Sequence, residues 1–137
     1  MVKKYGNFVN GKFVKHTGKE WIKVICPWDQ GVLALTPKST RRDAGKAIEI
    51  ARRAFDSGIW SEKTPAERSV ILYKLADLLE KKLKFFAQLE TREQGKTIKQ
   101  STDSDFPFTI DNIRFFAGAA RMLEGKASAE YAGIGMS

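Results

Sequence analysis

The chain has 137 residues, enough for one ordinary domain and its core. Its 42% hydrophobic content excludes a wholly disordered chain, and a single cysteine, Cys26, excludes an internal disulfide framework. The formal net charge of +8 permits loose association with polyanions. Lysine and arginine interleave with acidic residues along the whole chain, however, so a solvated charged surface is the expectation. No apolar run reaches the roughly 20 residues that span a bilayer, and MVKKYGNFVNGKF has no signal-peptide core. These features predict a soluble, cytoplasmic protein.

Residues 1–37 read as a small β head. Asn10-Gly11 lies between Phe8-Val9 and Phe13-Val14, the pattern of a type I′ hairpin. Trp21 to Ile25 and Val32 to Leu35 form two further β-type runs, closed by Pro27 and Pro37 with turn residues between them.

Residues 38–125 read as a helical region of four helices. Ser39 is expected to open the first, with Ala44, Ala47, Ile48, Ala51, Ala54 and Phe55 on its apolar face and a stop near Gly58. Thr64, Pro65 and Glu67 make a capping box with proline in the first turn. Ile71, Leu75, Leu78, Leu79 and Leu83 follow as an apolar stripe. A third helix covers about residues 84–93, with Phe85, Phe86, Ala87 and Leu89 inward, and Gly95 breaks it. The last starts near Asp105 and ends at Gly125, with Ile110, Ile113, Phe116, Ala117, Ala120 and Leu123 on its buried face. Residues 126–137 are expected to be a loosely held tail. The fold class read from these elements is α+β, a β head followed by four helices.

The inventory for chemistry is thin. His16 is read as an exposed loop residue and Cys26 as a small buried one, with no neighbouring base to make it a thiolate. One Cys and one His cannot build a zinc site. Gly133 and Gly135 resemble the start of a phosphate loop, but no strand and helix bracket them. Asp103, Asp105 and Asp111 read as cap and dipole partners. Glu90 and Glu93 read as a solvated face, unless a cation lies there. The basic clusters match no nucleic-acid-binding pattern, and the aromatics sit at core-like helical positions.

The order of motifs goes further than any one of them. An N-G-K hairpin and a strand ending at proline are followed by S-x-x-x-D and A-x-x-A-R-R-A-F. TPAER, LETREQGK and RFFAGAAR come next. This series, from Phe8 to Gly125, resembles the N-terminal part of the NAD(P)-dependent aldehyde dehydrogenases. The wording RFFAGAARMLEGKASAEY is most similar to the aminobutyraldehyde and betaine-aldehyde dehydrogenase group. Cys26, Pro27, Trp28, Asp29 and Gln30 depart from the Asn-Pro-x-Thr-Gly that the family often has there.

The resemblance implies oxidation of an aldehyde to a carboxylic acid with NAD or NADP. It implies a cysteine nucleophile, a glutamate base, an asparagine oxyanion donor and a Rossmann-like sheet, none of which matches a position here. The expectation is therefore an N-terminal fragment, inactive alone and binding no cofactor alone. Its expected partners are the remainder of the dehydrogenase or a second copy of itself. A basic module binding nucleic acid or a protein, and a regulatory or complementing piece of a split dehydrogenase, are the alternatives. Two sets of residues fall on family positions. Val24 and Ile25, through backbone carbonyls, and Glu93, through its carboxylate, match a monovalent-cation site. Ser104 and Phe108 match substrate-tunnel positions.

Overall fold

The computed structural model describes residues 2–122, 129–131 and 134–136. Strands β1 (Lys3–Lys4), β4 (Trp21–Ile25) and β5 (Val32–Pro37) form one sheet in the order β1-β5-β4. The β4–β5 pair is antiparallel and β1 joins β5 in parallel. Strands β2 (Asn7–Val9) and β3 (Lys12–Val14) form a separate hairpin. Asn10 and Gly11 both have positive φ, 51° and 75°, as the Asn-Gly turn requires. The parallel strand β1 has no counterpart in the sequence reading. Two adjacent lysines followed by Tyr5-Gly6 make too short a run to be read as a strand, and the edge of β5 orders them.

Helix α1 (Arg41–Asp56) is capped by Thr40, one residue later than the Ser39 expected. The Thr40 hydroxyl accepts from the Asp43 N–H and the Asp43 carboxylate accepts from the Thr40 N–H, so two orphan donors are satisfied reciprocally. Gly58 follows with φ of 72°. Helix α2 (Pro65–Lys81) starts with the same box, built from Thr64 and Glu67. Helix α3 (Leu83–Gln94) ends at Gly95, whose φ of 73° gives the left-handed cap that only glycine takes at little cost.

The last helix departs from expectation. A short turn α4 (Ile98–Gln100) runs directly into a π-helical turn (Ser101–Asp105) and then into α5 (Phe106–Ala119). Helical backbone therefore begins seven residues before Asp105. Gly125 and Leu123 lie outside the described residues, as does Gly133. Within the tail, β6 (Ala129–Tyr131) and β7 (Ile134–Met136) pair antiparallel, so Gly135 lies in a strand.

The core is small. Among the described residues, Cys26, Ala76, Ala87, Ile110 and Ala117 are its buried apolar residues, with Ser69 and Ser101 also buried. Ala76 of α2 and Ala117 of α5 allow the two helices to approach closely. Arg114 of α5 then bridges Asp77 and Glu80 of α2 at 3.0 and 2.8 Å. The face of α2 turned inward is Ser69, Leu72, Ala76 and Leu79, continued by Leu83 at the start of α3, not the Ile71, Leu75 and Leu78 of the expected stripe, which are exposed. On α3, Ala87 is buried and Phe86 stacks on Phe106 at 6.0 Å, while Phe85 and Leu89 face outward. On α5, Ile110 and Ala117 are buried, Ile113 is half-buried and Phe116 is exposed. Helix α1 buries no residue at all, and Ile48 and Phe55 of its expected inner face are exposed. The whole chain exposes 11296 Å². A folded monomer of this length exposes about 7,200 Å² by the usual scaling.

Candidate functional site

Two junctions gather the residues singled out from the sequence. The first lies where the C-terminal end of α3 meets the β4–β5 turn. Cys26 and Gly31 close that turn through a 2.8 Å backbone hydrogen bond, and the Asp29 carboxylate accepts from the Gly31 N–H at 2.9 Å. That bond, followed by one from the Cys26 thiol, holds the Asp29 carboxyl below its usual range, and Arg92 nearby adds to it. A side chain on Gly95 would come within 3.0 Å of the Pro27 ring, so this glycine permits the close approach as well as the cap. Val24 and Ile25 precede the turn and Glu93 precedes Gly95, so all three share this end of the molecule. The β4–β5 ladder slips between Val24 and Ile25, with Leu33 the extra residue opposite. Such a slip locally disrupts ladder bonding. Cys26 is buried, as read from the sequence, whereas His16 is half-buried against the Trp21 ring at 4.8 Å rather than exposed.

The second junction is the groove between α2 and α5. Leu72, Phe108, Thr109, Asn112, Ile113 and Phe116 line about 370 Å³ of space there. Phe108 is 70% exposed, and so is not an ordinary core aromatic. Ser104, four residues earlier in the π turn, is also exposed but does not line this groove. The two expected tunnel residues thus share a helical stretch without sharing a wall.

Among helices α2 to α5, three charged contacts went unread in the sequence. Lys96 bridges Glu90 at 2.6 Å and Asp105 at 2.7 Å, and these two carboxylates, Asp105 foremost, raise its pKa above the ordinary lysine value. The cation beside Glu90 is therefore an ammonium of the chain itself. Arg114 pairs with Glu80 and Asp77, which raises its own pKa and lowers that of Glu80. Lys99 pairs with Asp103 at 2.8 Å. Only the last has the i,i+4 spacing that a sequence displays. Glu90 and Lys96 lie on either side of a helix end, and Arg114 is 34 residues from Glu80.

A second, larger space of about 860 Å³ separates the β2–β3 hairpin from α1. Among the described residues no cluster of three metal-ligating side chains occurs, and no helix is long and apolar enough to cross a membrane.

The profile of the aldehyde dehydrogenase family matches residues 13–135. The chain belongs to the aldehyde dehydrogenase family. It is 39% identical over 114 residues to human 2-aminomuconic semialdehyde dehydrogenase, covering 83% of this chain and 23% of that protein. The NAD+ complex of an aldehyde dehydrogenase from Bacillus cereus superposes with a TM-score of 0.85 at 35% identity, over 95% of this chain and 26% of that one. A Staphylococcus aureus betaine aldehyde dehydrogenase, also in complex with NAD+, gives 0.81 at 31% identity, over 95% and 25%. The chain thus spans about a quarter of the length of the relatives it matches. The betaine-aldehyde group does not stand apart by identity from dehydrogenases of other aldehydes. The parallel strand pairing among the described residues is two residues long, Lys3 with Ala34 and Lys4 with Leu35.

Proposed function

We propose that this chain supplies the N-terminal helical layer of an NAD(P)-dependent aldehyde dehydrogenase. It contributes to aldehyde oxidation in the cytoplasm only together with the rest of that fold. The observation that carries this reading is a set of ordered helices with uncovered apolar faces. Ile48 and Phe55 on α1, Ile71, Leu75 and Leu78 on α2, and Phe108, Phe115 and Phe116 on α5 all face outward. Apolar surface on this scale marks an interface. In this reading Val24, Ile25 and Glu93 hold a monovalent cation at the β4–α3 junction, and Ser104 and Phe108 face the aldehyde's path. The nucleophile, the deacylating base and the NAD(P)+ site belong to the remaining three quarters.

The test is complementation. The chain is co-expressed with a Bacillus cereus aldehyde dehydrogenase lacking its matching N-terminal quarter, and reduced cofactor is followed with a panel of aldehydes. Turnover with both pieces and none with either alone supports the proposal. Turnover by the 137-residue chain alone, persisting in Cys26→Ala and free of host enzymes, contradicts it.

A further inference from the structure

The helical rod from Ile98 to Ala119 contains one step that its neighbours lack. The Phe106 N–H donates to the Ser101 carbonyl, five residues back instead of four. A π turn of this kind absorbs one extra residue. Everything after it is turned by about 100° from an uninterrupted α-helix. Ser101 and Ile110 show the consequence. Nine regular α-helical steps would place them on opposite sides, about 180° apart, whereas with one step absorbed they stand about 80° apart. Both are buried, Ser101 beside α3 and Ile110 in the core. Pro107 gives the step a local cause. It has no N–H to donate, and its ring crowds the carbonyl four residues back, so a regular ladder cannot run through it.

The π turn is tied to α3 at both ends. At its start the Ser101 and Thr91 hydroxyls are 3.1 Å apart. At its end Lys96, 24% exposed, reaches Asp105 and Glu90 together. We infer that Lys96 is a positioning residue for the substrate path. By joining Asp105 to Glu90 it holds the π turn in place, and the π turn fixes the angle at which Phe108 enters the groove opposite Leu72. Lys96 touches no substrate in this arrangement. Its effect on aldehyde binding passes through Asp105 and the helix register. This role in substrate positioning rests on the reading that the Phe108 face is turned towards the aldehyde, while the role in holding the turn does not.

The test has two arms. In the chain itself, amide exchange is compared for the native sequence, Lys96→Met and Lys96→Arg. Lys96→Met should speed exchange across the π turn about tenfold while the α2 amides hold their rates, and Lys96→Arg should restore protection. In a hybrid of this chain with the remaining part of the Bacillus cereus enzyme, Lys96→Met should raise the aldehyde KM about tenfold, with kcat and the NAD+ KM within about twofold. Lys96→Arg should recover most of that loss. Unchanged exchange in the π turn overturns the inference. So does a loosened turn with an unchanged aldehyde KM, or a parallel fall in kcat that Arg does not rescue. If the unsubstituted hybrid shows no turnover, the proposed function fails, and the exchange arm still decides whether Lys96 holds the turn.

Discussion

Helices α1 and α2 start from equally good capping signals and end in different environments, α2 packed against α5 and α1 exposed. Both α1 and α2 begin with a reciprocal Thr–acid box, and both carry apolar residues at helical spacing. Yet α2 and α5 bury Ser69, Ala76, Ile110 and Ala117 against their neighbours, while α1 buries nothing. Capping and propensity therefore suffice to specify a helix, and contact between helices decides which one is anchored. In α1 the apolar residues Ile48 and Phe55 stay exposed. In α2 one stripe is answered by α5 and a second, Ile71, Leu75 and Leu78, is not.

The sharpest way to break this comparison is to remove one buried side chain from the anchored pair. Ile110 is 3% exposed, so Ile110→Ala should cost about 2–5 kcal/mol. Against a total of about 5–15 kcal/mol, that should lower the urea midpoint by a large fraction. The matching change in α1, Ile48→Ala, should alter stability by no more than about 0.5 kcal/mol, because Ile48 is 69% exposed. Equal losses in urea titrations would show that α1 is anchored after all. A smaller effect comes from overfilling the crossing. Ala76→Leu should destabilise by about 1–3 kcal/mol, read as a lower urea midpoint. Thr64→Ala, which removes the α2 cap hydroxyl, should cost about 1 kcal/mol.

Much of this contrast is invisible in the sequence. The Asn10-Gly11 hairpin, the Thr64–Glu67 capping box and the Gly95 stop are written in single residues whose backbone demands are local, and the structure reproduces them. Apolar residues on two sides of α2 gave no basis for choosing a face. Ile71, Leu75 and Leu78 look like a stripe, but the small residues Ser69 and Ala76 are what let α5 come close. The two-residue strand β1, the π turn before Pro107 and the Lys96 bridge all depend on partners brought near by the fold. Of the candidate site, the resemblance supplied Val24, Ile25, Glu93, Ser104 and Phe108. The structure adds the junctions on which they sit and the Lys96 tie.

The smallest expected effect is a pH dependence confined to α1. The Thr40 N–H, foremost, holds the Asp43 carboxyl at about 2, against an ordinary 3.8. A carboxylate depressed in the folded state stabilises in full above its unfolded value and loses that contribution as pH falls through the folded one. The first turn of α1 should therefore loosen between about pH 4 and pH 2, the window set by those two values. Chemical shifts of Asp43 and Ala44 should follow it, and Asp43→Asn should flatten the profile.

Amide exchange on the chain, alone and with the rest of a dehydrogenase added, tests the central claim most directly. Alone, the amides of α2 and α5 around Ala76 and Ile110 should be protected well above those of α1, which should exchange by local fraying. With the complementary part present, α1 and the outer faces of α2 and α5 should gain protection together. Uniform protection of all the helices in the isolated chain, unchanged on adding the complement, would contradict the account.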